Sequence, residues 1–436
     1  MRSDESTKRT NVRWLIVAVL FVITAINYAD RATISLAGPE IAKELGFDAI
    51  TMGYVFSAFG WAYVLCQLPG GWLLDRFGSK RVYAASILLW SLFTLLTTTV
   101  GLLAGTAAIV VLFALRFLVG AAEAPSFPAN SRIVAAWFPA SERGTATAIF
   151  NSAQYGATVI FAPLMGWLIH SFGWHAVFAV MGGLGLAFVL VWNRVIHDPH
   201  AHPRVNAAEV AYVEAGGALV SMDQAGRTDG PKLRYVGQLL RTRMLAGVYV
   251  AQYCINALTY FFITWFPVYL VKDRHMTILK AGFVAAVPAV CGFAGGVLGG
   301  VFSDALLRRG HSLSVARKTP IVLGMLLSMT MVACNYVAAE SAVIFFMSLS
   351  YFGKGVGALG WVVNSDTAPR QIVGVSGALF NTFGNLSGIT TPIAIGYLVE
   401  RSGSFNGALV YVGAHALVAM LCYLVVVGDI RRVTLA

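Results

Sequence analysis

Four charged residues lie inside long apolar segments of this 436-residue chain. They are Asp30 and Arg31 in the first such segment, and Arg116 and Glu123 in a later one. A charge at the centre of a bilayer costs at least about 2.5–3.5 kcal/mol, so such residues usually face a cavity, a partner or a pathway. Two bases and two acids in this setting predict a site that binds an anion and carries protons.

The spacing and chemistry of these charges suggest which of them bind the anion and which take up protons. Arg116 and Glu123 are seven residues apart, which is two helical turns and about 10 Å along one helix face. That distance suits a substrate lying between them, or two coupled titrations. Because a guanidinium can donate two parallel hydrogen bonds to a carboxylate, we predict that Arg31 and Arg116 bind the anion. Asp30 and Glu123 then take up protons; the alternative is a structural ion-pair network in which no proton moves.

The composition places the chain in a membrane. It is 58% hydrophobic and 12% charged, whereas a soluble domain carries roughly 25% charged residues. The net charge of +11 is spread over short connectors and forms no single basic face, so we expect no nucleic-acid partner. The five cysteines lack metal-ligand spacing, and we expect no metal and no cofactor other than protons.

A helix-length hydropathy window predicts an all-α integral membrane protein with twelve transmembrane helices. The predicted spans are 14–37, 51–74, 82–103, 105–134, 144–170, 174–196, 244–271, 278–307, 318–338, 341–368, 371–399 and 406–428. Between the sixth and seventh lies the longest polar stretch, with one short helical pattern at Ala207 to Gly216. We therefore predict a tail at 1–13, six-helix halves at 14–196 and 244–428, a cytoplasmic linker at 197–243 and a tail at 429–436.

The basic residues predict the orientation. If the termini and every second connector share one side, that side holds 23 of the 31 Lys and Arg residues and the other side holds five. Arg31, Arg116 and Lys354 lie within the spans. Cytoplasmic loops are enriched in Lys and Arg, so both termini are predicted to be cytoplasmic.

An internal repeat supports the two halves. Gly71-x-x-x-Asp75, followed by Arg76, ends the second span, and Gly300-x-x-x-Asp304 ends the eighth. Parallel repeats of this kind build alternating-access transporters with a central site. We predict that Asp75, Arg76 and Asp304 form gating contacts; the alternative is a static loop salt bridge. Gly71 and Gly300 are predicted to let two helices approach closely.

These loops resemble the signature loop of the major facilitator superfamily. Within it, the chain resembles bacterial anion:cation symporters, and it is closest to the D-glucarate/D-galactarate permeases. The resembling segments are Asn27 to Arg31, Gly53 to Phe59, Arg116 to Pro125, Arg132 to Pro139, Ser152 to Tyr155, Gln252 to Leu270 and Ser404 to Val412. The resemblance implies the major facilitator fold, proton coupling at Asp30 and Glu123, and ligand contacts at Tyr28, Gln154 and Asn381.

Further polar residues at mid-span complete the predicted substrate site. Their hydroxyl and amide groups offer the donors and acceptors that a polyhydroxy substrate needs, although each could instead make an interhelical hydrogen bond. Trp361 could stack on a sugar-acid chain or pack as a plain aromatic. Lys354 could be an additional cation for a dianion, or could extend its ammonium to the interface. The predicted set is Tyr28, Tyr63, Gln154, Asn256, Tyr260, Trp361, Asn381 and Lys354.

Glycines at a spacing of four residues predict close helix contacts. They are Gly292, Gly296 and Gly300 in the eighth span, and Gly384 and Gly388 in the eleventh.

Together these features predict a proton-coupled secondary transporter that imports an anionic sugar acid by alternating access. Two arginines in the cavity match the two carboxylates of glucarate or galactarate. Galactonate, a hexuronate or tartrate are alternative substrates. A transporter-like sensor without net flux is a remote alternative function. We expect no enzyme, because nucleophile, metal-cluster and phosphate-loop motifs are absent from the sequence. The expected setting is the bacterial inner membrane, with the protein a monomer.

Overall fold

The computed structural model describes residues 8–139, 142–221, 236–369 and 373–434. Within these ranges the chain is helical and contains no strand. The helices are α1 Val12–Leu45, α2 Ala49–Phe77, α3 Ser79–Leu96, α4 Gly105–Glu123, α5 Ser126–Trp137, α6 Arg143–Phe172, α7 Trp174–Val195, α8 Ala207–Ala215, α9 Val236–Arg241, α10 Arg243–Tyr260, α11 Phe266–Lys272, α12 Ile278–Arg308, α13 Leu313–Ser328, α14 Glu340–Val356, α15 Gly360–Thr367, α16 Val373–Ser402 and α17 Asn406–Leu421.

Apart from α8 and α9, these described helices form twelve long rods, several of which combine two segments. The combined rods are α3 with the 3₁₀ turn Thr97–Leu102, α4 with α5, α10 with α11 through the π turn Phe261–Trp265, α13 with the 3₁₀ turn Met329–Tyr336, α14 with α15, and α17 with the π turn Cys422–Val426.

Eleven of the rods are long and apolar enough to cross a membrane, which confirms the predicted all-α membrane fold. The remaining rod, α16, has 30 residues and is consistent with a twelfth span. It carries Asn381 and Asn385, whose side chains bond to other helices inside the bundle. A helix that faces neighbouring helices and not lipid does not need an apolar surface.

Two of the differences between the predicted spans and the structure have a clear physical cause. The ninth rod begins at Leu313, five residues before the predicted start, because the Ser312 hydroxyl caps α13 by accepting a hydrogen bond from the Val315 amide. The charges of Arg317 and Lys318 had hidden this first turn from the hydropathy window. The fourth and tenth rods are each interrupted, the fourth at Ala124 and Pro125, where proline lacks the amide needed to continue the hydrogen-bond ladder.

The first six rods and the last six meet mainly through α2 with α16 and α6 with α12. The backbones touch: a Cβ on Gly53 would lie 2.6 Å from the carbonyl oxygen of Pro392, and one on Gly282 would lie 2.6 Å from that of Ala162. Both contacts lie towards the end of the bundle opposite the chain termini. We call this end the remote end, and the other the terminal end.

Three hydrogen bonds join the two groups of rods within the described residues. At the remote end the Ala49 amide donates to Glu400 at 2.9 Å, and the hydroxyls of Tyr54 and Tyr397 lie 3.3 Å apart. Just past the middle, Gln67 accepts from Asn381 at 3.1 Å. Together with the close backbone contacts at Gly53 and Gly282, the bonds at Ala49 and Tyr54 close the bundle at the remote end.

The predicted short helix in the linker is present as α8. Its Glu209 is fully buried and accepts hydrogen bonds from the amides of Val12 at 3.0 Å and Arg13 at 3.2 Å. The linker helix therefore docks on the start of α1. Residues 222–235 of the predicted linker lie outside the described residues, and the proposed domain boundaries stay a prediction.

Some predicted glycine contacts are wrong. A Cβ on Gly71 or Gly300 would have no heavy atom within 4 Å, and one on Gly296 would come no nearer than 4.0 Å. In α12 the predicted contact at Gly292 is present, and the others fall on Gly295 and Gly299; all three glycines face α14. Which glycines face α14 depends on how α12 is rotated about its own axis, and the four-residue spacing alone does not specify that rotation.

Candidate functional site

The buried core of the site is an ion pair between α1 and the last residue of α4. The Arg31 Nε donates to the Glu123 Oε2 at 2.9 Å, and the two residues are 8% and 0% exposed. The second oxygen of Glu123 has no hydrogen-bond partner among the described residues. Glu123 therefore pairs with Arg31, and not with the Arg116 that shares its helix.

Three aromatic rings surround the Arg31 guanidinium. Its central carbon lies 4.8 Å from the ring centroid of Tyr28, 4.6 Å from that of Phe59 and 4.9 Å from that of Tyr63. Such faces attract a desolvated cation and hold its plane in place. The predicted residues Tyr28 and Tyr63 thus lie together beside Arg31. Phe59 was missed, although its spacing of one helical turn from Tyr63 could have indicated it.

Arg116 has a different role in this state. It is 2% exposed, and its guanidinium donates to the main-chain carbonyls of Asp30 at 3.3 Å and Arg31 at 3.5 Å. These bonds tie α4 to the middle of α1. Arg116 therefore positions the helix segment that carries Asp30 and Arg31.

Asp30 is buried without a partner. It is 0% exposed, and neither carboxylate oxygen accepts a hydrogen bond from any described residue. An ionised carboxylate in such a place loses its hydration without compensation. The environment of Asp30 thus differs from that of Glu123, which has Arg31.

A chain of amides links three rods. The Tyr260 hydroxyl donates to Asn385 at 2.9 Å, Asn385 donates to the Asn381 side chain at 3.1 Å, and Asn381 donates to Gln67 at 3.1 Å. This chain runs from α10 through α16 to α2. Two predicted substrate residues, Tyr260 and Asn381, are therefore joined to each other through Asn385 and across the bundle by Gln67.

Glycines of α16 make room for this chain, as predicted. A Cβ on Gly384 would lie 2.6 Å from the Asn256 amide nitrogen, and one on Gly388 would meet the Tyr260 ring. The Asn256 side chain accepts a hydrogen bond from Gln252 at 3.3 Å. Asn256 and Tyr260 thus lie side by side on α10, packed against α16.

A cavity lies between the two groups of rods. Its lining combines a face of α1 and α6 that carries hydroxyl and amide groups with an apolar and aromatic face from the last six rods. Tyr28 and Gln154, both predicted, line it together. The principal lining residues are Tyr28, Ser35, Gln154, Thr158, Phe262 and Tyr351.

The structure separates the last two predicted substrate residues. Lys354 is 5% exposed, and its ammonium lies 5.6 Å from the Tyr155 ring and 5.4 Å from the Tyr351 ring. Trp361 is 51% exposed and packs edge-on against Phe380 with centroids 4.8 Å apart. Neither Lys354 nor Trp361 is among the residues that line the cavity.

The repeated loops each hold an aspartate–arginine pair within their own half. Asp75 pairs with Arg132 of α5, and Asp304 lies 3.5 Å from Arg317, which also bonds to Asp366 at 2.9 Å. The third predicted gating residue, Arg76, lies over the rings of Trp72 and Phe77. Asp75 and Asp304 are largely exposed, so these pairs add little stability by themselves.

The described helices, eleven of which are long and apolar enough to cross a membrane, surround a buried cation–acid pair and define a multi-pass membrane protein. The chain belongs to the Major Facilitator Superfamily, whose profile matches residues 20–392. It is 66% identical over 432 residues to the Probable galactarate/D-glucarate transporter GudP of Escherichia coli K12, covering 98% of this chain and 96% of the relative. It is 57% identical to the Probable galactarate/D-glucarate transporter GarP of the same strain, covering 99% and 98%, and 40% identical to a D-galactonate transporter of Escherichia coli O6:H1, covering 97% of each.

Solved structures show the same fold at low sequence identity. A D-xylose-proton symporter superposes with a TM-score of 0.71 at 13% identity, covering 95% of this chain and 98% of that one. The inward open xylose transporter XylE of E. coli superposes with a TM-score of 0.69 at 14% identity, covering 95% and 96%. The predicted fold and the resemblance to the glucarate/galactarate permeases are thus confirmed.

Proposed function

We propose that this protein is a proton-coupled transporter of six-carbon sugar diacids, galactarate and D-glucarate, that works by alternating access. The observation that carries the proposal is the buried Arg31–Glu123 pair. The cation best placed to bind an anion is already held by an acid, so anion binding and proton binding compete at one group. The names of the relatives at 66% and 57% identity support the choice of substrate.

The pair suggests a specific order of events. While Glu123 is ionised, its carboxylate occupies the Nε side of Arg31. A proton on Glu123 removes that negative charge, and the guanidinium can then turn its planar fork to a substrate carboxylate. Loss of the proton on the opposite side of the membrane restores the pair and expels the substrate.

Asp30 is the second proposed proton site. Its carboxyl group has no partner in this state, and an uncompensated charge at this depth is costly. Proton uptake during the cycle neutralises the Asp30 carboxylate. The neighbouring bonds from Arg116 to the backbone of α1 transmit a change at Asp30 to Arg31.

The hydroxyl groups of the substrate are assigned to the polar lining of the cavity. Tyr28 and Gln154 lie on its first-half face, and the amide chain of Asn381, Asn385 and Gln67 offers donors and acceptors once its internal bonds exchange for bonds to ligand. These exchanges open the contact between α2 and α16, which couples binding to rocking of the two groups of rods.

The proposed setting is the bacterial inner membrane, with both chain termini in the cytoplasm and a monomer as the working unit. In that orientation the remote end, which is closed in this state, faces the periplasm.

The proposal is tested with purified protein in proteoliposomes. Labelled galactarate should accumulate when the outside is acidic, and a protonophore should abolish the accumulation. Uptake that does not depend on the pH gradient would contradict proton coupling. Absence of any galactarate or glucarate flux would contradict the transporter assignment.

A monocarboxylate sugar acid is the second candidate, because the D-galactonate transporter is 40% identical over 423 residues. A thermal-shift screen of diacids against monoacids of the same chain length separates the two. Stabilisation by galactonate alone would replace the diacid proposal.

A further inference from the structure

Lys354 stands out as a buried cation that the ion-pair core leaves unused. It is 5% exposed, and among the described residues it makes no ion pair or hydrogen bond. Of the other two cations at this depth, Arg31 pairs with Glu123, and Arg116 donates to two backbone carbonyls. Burying an ammonium without an anion is unfavourable, so the group needs a partner that the protein itself does not provide.

The surroundings of Lys354 fix its direction. Both flanking glycines pack against other helices: a Cβ on Gly353 would lie 2.5 Å from the Gly324 carbonyl oxygen, and one on Gly355 would meet that of Gly292. The lysine stem therefore leaves α14 between two close helix contacts and points at Tyr155 of α6, in the other group of rods. The rings of Tyr155 and Tyr351 offset only a small part of the lost hydration.

Two of the rings that line the cavity lie beside this cation and beside Arg31. Tyr351, whose ring is 5.4 Å from the Lys354 ammonium, lines the cavity on the α14 side. Tyr28, whose ring is 4.8 Å from the Arg31 guanidinium, lines it on the α1 side. Each cation therefore lies beside a ring that lines the same cavity, and the two cations come from different groups of rods.

We infer that Lys354 binds the second carboxylate of the substrate, so that a diacid bridges Arg31 and Lys354 across the cavity. This inference rests on the proposed function and adds the basis of its specificity. A diacid neutralises both cations, whereas a monoacid of equal length leaves Lys354 without an anion. The same bridge draws α1 and α14 together, so the diacid itself favours closure of the two groups of rods around it.

The test compares ligand binding in variants of the full-length protein. K354Q and K354M remove the charge, K354R keeps it, and K280Q is a matched control, since Lys280 pairs with Glu340 at the exposed remote end. Affinities for galactarate and D-glucarate are measured by calorimetry beside those for galactonate and gluconate. We expect K354Q and K354M to weaken diacid binding by roughly 10–100-fold, the range for losing a hydrogen bond to a charged group.

The selectivity ratio separates recognition from folding. Monoacid affinity should stay within about two-fold in K354Q and K354M, K354R should recover most of the diacid affinity, and K280Q should match wild type. An unchanged ratio of diacid to monoacid affinity in both neutral variants would overturn this inference but not the proposed function. Wild-type protein that binds no diacid would instead overturn the proposed function.

Discussion

At the level of single residues, the structure assigns different partners to the two intramembrane arginines. Arg31 is held by a carboxylate and three rings, so a proton on Glu123 changes what Arg31 can bind. Arg116 is held by two backbone carbonyls, which no proton can neutralise. In the proposed mechanism, protons therefore control anion binding through Arg31, while Arg116 ties α4 to α1.

Replacing Glu123 by glutamine imitates its protonated form permanently. We expect E123Q to bind galactarate over a wide pH range, while accumulation driven by a pH gradient falls at least about ten-fold, because binding is no longer tied to a proton. Exchange of labelled for unlabelled substrate should persist. The two fluxes are measured in the same proteoliposomes.

Glu340→Gln is the control for this prediction, since Glu340 is exposed and pairs only with Lys280. Accumulation by E123Q at the wild-type level would show that proton coupling lies elsewhere.

At the level of helices, a distant residue completes the start of α1. The first amides of a helix lack partners within it, and Asn11 offers no side-chain cap. The carboxylate of Glu209 supplies one: it accepts from the amides of Val12 and Arg13, from the Thr10 hydroxyl at 2.6 Å and from the Arg13 guanidinium at 3.0 Å. The linker helix α8 thereby anchors the helix that carries Asp30 and Arg31.

Loss of this cap should lower stability without touching the transport site. We expect E209A to reduce the free energy of unfolding by about 1–3 kcal/mol, which combines a lost helix cap with buried donors left unpaired. Melting temperature in detergent measures the effect. E214A is the matched control on the same helix, because Glu214 is exposed and pairs only with His200; equal melting of the two variants would refute the role of Glu209.

Glu142, just before α6, bonds to Arg13 of α1 and Tyr212 of α8. It makes this junction between α1, α6 and α8 sensitive to acid. Burial acts to raise its pKa from the usual 4.5, but hydrogen bonds from Arg13 and Tyr212 outweigh burial and hold the pKa below that value. A carboxyl with a depressed folded-state pKa stabilises the protein above its unfolded pKa, and this contribution is lost as pH falls through the folded value. The junction should therefore weaken below about pH 4.5.

The difference between wild type and E142Q isolates this contribution. We expect E142Q to melt earlier than wild type near pH 7, and the gap between their melting temperatures to narrow as pH falls below about 4.5. A gap that stays constant over this range would show that ionised Glu142 contributes nothing.

At the level of the whole molecule, the contacts between the two groups of rods are concentrated at one end. Gly53 lies against Pro392, Gly60 against the backbone of Gly388, and Gly396 against Ala49. Small residues allow these backbones to meet, which gives helix pairs in a bilayer close van der Waals packing. Opening this end must separate α2 from α16 along their whole remote half.

Locking this end should stop transport. In Y54C/Y397C, made in a background in which the five native cysteines are serine, a short bis-methanethiosulfonate reagent should join the two rods through disulfide bonds, because the native hydroxyls lie 3.3 Å apart. Uptake should then fall to background and return on reduction. Each single cysteine variant, treated identically, is the control; full uptake by the cross-linked protein would exclude opening at this end.

The sequence by itself determined the membrane class, the approximate position of most rods and the residues able to do the chemistry. These features are local: hydropathy is a property of about 20 consecutive residues, and an isolated charge within such a run is visible without any knowledge of its neighbours. The likeness of Asn27 to Arg31 and of Arg116 to Pro125 to known permeases also lies within short segments.

Only the tertiary structure decided which residues meet. It paired Glu123 with Arg31 and not with Arg116, brought Gln67 to Asn381, placed Glu209 on the start of α1, and turned Gly295 and Gly299 towards α14 in place of Gly296 and Gly300. Each outcome depends on how a helix is rotated about its axis and shifted against partners tens to hundreds of residues away. Packing of the whole bundle sets those two quantities, and no local pattern contains them.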